Sequence, residues 1–153
     1  MSISRQTEKG LVTNWVKQAV SFYDRAGREI SMAEFTNPHG QFVRDSLYIF
    51  VIDLDGKVLA HPLNERYTGK DFLHFRDSDG RFFILKVLEN AKRNGNGFTT
   101  YKWYNPEAGK EMLKTIYYEE VDGMVFCSGF YSREENCPDF IANSMIWDHE
   151  QLF

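Results

Sequence analysis

Between Gly97 and Tyr131 three strand-like runs follow one another with almost no chain between them. They are Gly97–Tyr104, Glu111–Glu119 and Met124–Tyr131, the last two joined by a turn at Val121-Asp122-Gly123. Parallel neighbours need a crossover of about a dozen residues or more, so connections this short require antiparallel strands. Upstream, Tyr48–Leu54 (YIFVIDL) is rich in β-branched and aromatic residues, Asp55-Gly56 is a strong hairpin signal, and Lys57–His61 is the return strand, stopped by Pro62. Hairpin-connected strands predict an α+β domain with an antiparallel sheet of about five strands and helices on one side. A doubly wound α/β fold is disfavoured, because no GxGxxG follows a strand.

Apolar residues at steps of three and four, from Leu11 through Trp15 and Ala19 to Tyr23 and Ala26, predict a helix over about Gln6–Arg28, capped by Thr7. At about 30 Å it is long for this chain, so part of it is expected to lie either against a partner subunit or along the sheet. Gly27 weakens the helix, and Ser31-Met-Ala-Glu34 fits a capping box opening a short second one. Asn37-Pro38-His39-Gly40 is turn chemistry. Residues 63–80 form a polar, irregular loop of a length that usually serves function. Arg81–Asn94 predicts a third helix ended by Asn94-Gly95. In the tail, Phe140, Ile141, Met145, Ile146 and Trp147 fall at helical spacing. That tail is expected to dock on the domain or to bind a partner.

The 153 residues suit one domain. Aromatic content of 16% rules out a disordered chain, and a net charge of −4 without a basic block argues against nucleic acid. Cys127 and Cys137 fit two thiols in a reducing compartment or one bridge, not a disulfide framework. With no signal-like start and no run near about 18 apolar residues, the expectation is a soluble cytoplasmic protein.

Catalytic chemistry finds little support. Cys127 lies in a strand pattern and Cys137 precedes a proline, each without an activating neighbour. GxSxG, HExxH and a P-loop are missing, and His39, His61, His74 and His149 lack ligand spacing. The expectation is a protein that is neither an enzyme nor a cofactor carrier.

What stands out is Lys114, a cation within an aromatic and apolar strand pattern. Such a charge is costly unless a protein carboxylate or a bound anion offsets it. By alternation Lys114 shares a face with Met112, Ile116 and Tyr118, while Tyr117 lies opposite. Tyr101 and Trp103 share a face, suited either to core packing or to a pocket wall. His61 ends the second strand, as a strand-end histidine or a ligand contact, next to the loop carrying Arg76 and Asp77. One ammonium among Tyr, Trp and His donors suits a small carboxylate. The candidate ligand contacts are therefore His61, Arg76, Asp77, Tyr101, Trp103, Lys114, Tyr117 and Tyr131.

The run YIFVIDLDGKVLAHP, then Gly69-Lys-Asp71, then RDSDG, then AKRNGNGFTTYKW, KTIYY and VFCSGFY, resembles the single Cache domain family of bacterial sensors. The motifs occur in the family's order from Tyr48 to Tyr131. The resemblance implies a PAS-like antiparallel sheet with a long first helix, binding small metabolites and often dimeric through that helix. It carries pocket roles onto His61, Tyr101, Trp103, Lys114 and Tyr131, and onto Asp77 either as a ligand contact or as the residue ordering its own loop. Where the family pattern has a small or apolar residue, this chain has Cys127. Family members usually stand between a membrane segment and an output domain, so this chain is expected to be stand-alone. The expected layout is a helical segment at 1–36, the ligand-binding domain at 37–133 and a packed tail at 134–153. The expected function is a non-enzymatic sensor for a small organic acid of the acetate, propionate, pyruvate or lactate type, acting through an unidentified downstream signalling protein. The alternative is an interaction module working through the first helix and the tail, without a ligand.

Overall fold

The computed structural model describes residues 5–63 and 67–132. In chain order the elements are α1 (Arg5–Ala26), α2 (Arg28–Thr36), β1 (Phe50–Asp53), β2 (Val58–Ala60), α3 (Phe83–Asn94), β3 (Asn96–Asn105), β4 (Lys110–Val121) and β5 (Met124–Tyr131). The strands form one sheet in the order β2-β1-β5-β4-β3, every pair antiparallel. This is the expected α+β fold, with the last strand at the centre of the sheet. Cys137, the apolar tail positions and His149 lie outside the described residues.

Local chemistry sets the turns. Asp122 and Gly123 both take positive φ, 54° and 80°. That is the type I′ geometry whose twist matches the flanking strands, and it fixes the β4–β5 register from Val121↔Met124 onward. Gly95, with φ 84°, closes α3 and returns its N–H to the Ala91 carbonyl.

Both faces of the sheet are covered, which corrects the expectation of helices on one side. On one face, Val12, Trp15, Val16 and Ala19 of α1 and Phe35 of α2 pack with Phe42, Ile49, Val51, Tyr117, Met124 and Phe126. The Trp15 indole N–H donates to the Phe42 carbonyl at 3.0 Å, so the buried ring keeps its polar group satisfied. On the other face, Phe83, Ile84, Val87, Leu88 and Ala91 of α3 pack on Phe50, Tyr101, Trp103, Ile116, Tyr118, Val125 and Cys127. Periodicity identified the apolar face of α1 but carried no information on which side of the sheet would receive it.

The helix starts also differ from expectation. Already at Arg5 α1 has begun, ahead of Thr7. The second helix starts at Arg28 with Gly27 as its cap, which puts Ser31 inside α2. Its hydroxyl is buried without a hydrogen-bond partner, so the capping box is not made. Helix propensity of Arg28–Ile30, together with the freedom of Gly27 (φ 86°) to redirect the chain, accounts for the earlier start.

The loop beyond β2 is more regular than its composition suggested. The Val58 N–H donates to the Lys70 carbonyl, the Gly69 N–H to the Val58 carbonyl and the Phe72 N–H to the Gly56 carbonyl. The loop thereby pairs along the outer edge of β2, covering a sheet edge that would otherwise be open. It also delivers Tyr67, Phe72 and Phe75 onto the face covered by α3.

Candidate functional site

Lys114 is 2% exposed, at the centre of the α3-covered face. Its Nζ donates to the Tyr48 hydroxyl oxygen at 2.8 Å and lies 4.6, 5.5 and 5.5 Å from the ring centres of Tyr48, Phe50 and Tyr131. Among the described residues no carboxylate pairs with it. The π faces and one hydroxyl supply partial negative charge without cancelling a full one. Burial therefore brings the ammonium down to about 7 from an ordinary 10.5.

Geometry one strand away makes this placement possible. Lys114 is on β4 and Tyr48 leads into β1, with β5 running between them. Gly129 of β5 leaves room for the lysine stem to cross. A Cβ there would sit 3.1 Å from Lys114 Cε and 2.6 Å from the Thr115 carbonyl oxygen. The Ser128 hydroxyl donates to the Tyr48 carbonyl at 2.7 Å and pins the other end of the contact.

A small cavity opens beside Nζ, lined by Phe50, His61, Phe72, Phe83, Ile84, Tyr101, Trp103 and Lys114. Its volume of about 10 Å³ is at the lower limit for one water. Phe83 stacks on Tyr101 at 4.0 Å between ring centres, and Trp103 meets Phe83 edge-on at 5.5 Å. Phe72, from the loop, closes against Trp103 at 6.2 Å. On the other side His61 sits 5.3 Å from Tyr48 and 4.6 Å from Tyr67, ring centre to ring centre.

The electrostatics favour an anion. Burial, with the Lys114 charge adding to it, holds His61 well below the usual imidazole range, so the ring is neutral. Its Nδ1 accepts the Leu63 N–H at 3.3 Å, which assigns the ring proton to Nε2 as a donor. Burial also pushes the Tyr48, Tyr101 and Tyr131 hydroxyls and the Cys127 thiol upward, so these groups stay protonated. The cavity thus presents one titratable cation and neutral donors, with no competing anion in its lining.

Of the candidates named from sequence, His61, Tyr101, Trp103 and Lys114 line this cavity together. Tyr131 pairs with Lys114 across β4–β5, and its hydroxyl donates to the Tyr104 carbonyl at 3.0 Å. Three others sit elsewhere. Tyr117 is on the opposite face, against Phe98, with its hydroxyl donating to Glu119; alternation along β4 requires this once Lys114 faces the cavity. Arg76 is exposed, its guanidinium lying over Phe82, where solvent keeps the charge hydrated. Asp77 is buried but occupied: its carboxylate accepts the N–H groups of Asp79, Arg81 and Lys102 at 3.0, 2.9 and 3.2 Å. It orders its own turn and ties that turn to β3.

Phe50, Phe72, Phe83 and Ile84 were missed as cavity residues, and Tyr48 as the partner of Lys114. Period-two alternation in YIFVIDL put Tyr48 and Phe50 on one face, which was the available signal. Bringing that face to Lys114 needs the pairing of β1 with β5, which local sequence does not specify.

The comparisons with known proteins agree with this architecture. The chain is 30% identical over 118 residues to the sensor histidine kinase MctS of Rhizobium johnstonii, covering 72% of this chain and 25% of that protein. It is 29% identical over 86 residues to the methyl-accepting chemotaxis protein McpP of Pseudomonas putida, covering 55% of this chain and 16% of that protein. The chain thus spans a quarter or less of the length of these relatives. Among solved structures, a Cache chemosensory domain studied for carboxylic acid recognition superposes with a TM-score of 0.69 at 22% identity, over 84% of this chain and 92% of the other. A methyl-accepting chemotaxis protein from Vibrio parahaemolyticus gives 0.68 at 19% identity, over 83% and 87%. At these identities the superpositions establish the fold alone. The family model for the Cache domain matches residues 4–135, and the chain therefore belongs to the Cache domain family.

Proposed function

We propose that this domain is a non-enzymatic sensor of a short carboxylate, with Lys114 as its charged contact and His61 Nε2–H, Tyr101 and Trp103 as orienting neighbours. The observation that carries the reading is the buried ammonium without a carboxylate beside it, facing a cavity of neutral donors. A bound carboxylate would supply the missing counter-charge. The structural neighbour studied for carboxylic acid recognition supports the same ligand class. Since the cavity is near the limit for one water, even a two-carbon acid requires its walls to part. Phe72, which lies outside the five strands and three helices, is the wall that this reading expects to give way.

Titration calorimetry with acetate, propionate, pyruvate and lactate tests the reading. Binding by the wild type and a loss on the order of 2–5 kcal/mol for Lys114→Ala are expected. No binding by any of the four, or undiminished binding by the variant, refutes it.

The nearly filled cavity favours a second reading, an interaction module. Its surface would be the outer side of the first two helices, where Leu11 and Ile30 are 50% and 61% exposed. The homodimer expected through α1 would use the same side. Sedimentation of wild type and Leu11→Glu distinguishes a dimer built there from a monomer. Among the described residues no helix is long and apolar enough to cross a membrane. One structural neighbour is named a periplasmic sensor domain, so the cytoplasmic placement expected for this chain is to be tested by cell fractionation.

A further inference from the structure

We propose that Lys114 captures 2-oxo acids covalently, as a protonated imine, in addition to pairing with carboxylates. The inference rests on the carboxylate reading above and narrows its ligand class.

Four observations support it. The Lys114 amine lines the cavity and is held by the Tyr48 hydroxyl, not by a carboxylate that would keep it charged. Three aromatic rings surround it, so little water is available to hydrolyse an imine once formed. Burial brings its ammonium down to about 7, so a large share of molecules carries a free lone pair near neutral pH; a lysine desolvated in an apolar pocket is activated as a nucleophile in this way. The other buried nucleophile facing the site, Cys127, is pushed up by burial and stays a thiol.

A 2-oxo acid places its electrophilic carbon directly beside the carboxylate. An acid held with its carboxylate beside Nζ therefore brings its carbonyl within reach of the same nitrogen, which attacks from the fraction of complexes in which the amine has given up its proton. The amine lone pair forms the C–N bond, and the C=O electron pair moves to oxygen, which takes up a proton. Loss of that oxygen as water gives the protonated C=N. One of the water's protons comes from the attacking nitrogen and the other from solvent. His61 Nε2–H and the Tyr48 hydroxyl are hydrogen-bond donors to the departing oxygen and keep their protons. Amine, carbonyl and one proton give the protonated imine and water, and no oxidant or reductant enters. The product keeps a cationic nitrogen next to the carboxylate, a neutral pair in an apolar site.

The test is pyruvate with cyanoborohydride, which reduces the imine to a stable secondary amine, followed by peptide mass mapping. Lactate, with a hydroxyl in place of the carbonyl, is the matched competitor, and both acids are titrated calorimetrically in parallel. One reduced adduct per chain, on Lys114 and suppressed by excess lactate, is the expected result, with none in Lys114→Arg. Pyruvate binding without a Lys114 adduct, or lactate binding without pyruvate binding, overturns the covalent step and leaves the carboxylate reading standing. Adducts spread over exposed lysines such as Lys9 and Lys17, unaffected by lactate, also overturn it. Failure of both acids to bind overturns both readings.

Discussion

If a carboxylate offsets the Lys114 charge, binding must be linked to protonation of that lysine. In the free protein the ammonium titrates at about 7. A carboxylate against it restores the charged form and raises that value toward or beyond 10.5. Only protonated molecules then bind well, so affinity is expected to be nearly constant below pH 7 and to fall about tenfold per pH unit above it. At pH 8 binding should take up about 0.9 proton per ligand, ten amines being neutral for each one charged. Groups facing Lys114 do not confuse the measurement. His61 is lowered out of the range, and Tyr48, Tyr101, Tyr131 and Cys127 are raised above it. Acetate is fully ionised throughout. The assay is acetate calorimetry between pH 6 and 9, each point in two buffers of different ionisation enthalpy. An affinity flat from pH 6.5 to 9, or heats independent of buffer at pH 8, would refute the account of Lys114 as a lone buried cation.

Four further outcomes are expected. In the ligand-free protein Lys114→Met should be stabilising. The unfolded chain holds the Lys114 proton up to 10.5 and the folded one only to about 7, so the penalty is complete below pH 7 and fades as pH rises to 10.5. At about 1.4 kcal/mol per pH unit its ceiling is roughly 5 kcal/mol, read as the difference in denaturant midpoints between variant and wild type at pH 6 and pH 10. Gly129→Ala should weaken acetate binding and cost about 1–3 kcal/mol of stability, because the added methyl meets the Thr115 carbonyl oxygen and the Lys114 stem. Asp77→Ala strands three backbone N–H groups and should cost about 1–3 kcal/mol, with faster amide exchange at residues 79, 81 and 102. Tyr117→Phe and Arg76→Ala should leave acetate affinity within about twofold of wild type, since neither side chain reaches the cavity.

The fold was legible because its signals are local. Alternation marked the strands, Asp122-Gly123 fixed the tightest hairpin, and Asn94-Gly95 marked the end of α3. The sheet-facing assignments of Lys114 and Tyr117 also followed from alternation alone. What sequence withheld was the long-range arrangement. Tyr48 meets Lys114 only across a third strand, and that approach depends on Gly129, whose missing side chain carries no periodic signal. Asp77 and Arg76 stood in a polar loop where composition could not separate a turn-forming carboxylate from a ligand contact. Placing α1 and α3 on opposite faces likewise depends on sheet order, which local patterns do not encode.

The sheet order has a kinetic consequence. Strands β3, β4 and β5 are neighbours in sequence and can form as a meander at low cost in loop entropy. Seating β1 against β5 instead joins Phe50 to Cys127, far apart along the chain, and only this step brings Tyr48 to Lys114. The candidate site is thus completed only by the longest-range pairing of the sheet and is absent from a meander of β3, β4 and β5 alone. A ligand that recognises only the finished site acts after the folding barrier. Added acid is therefore expected to slow unfolding while leaving the refolding rate unchanged.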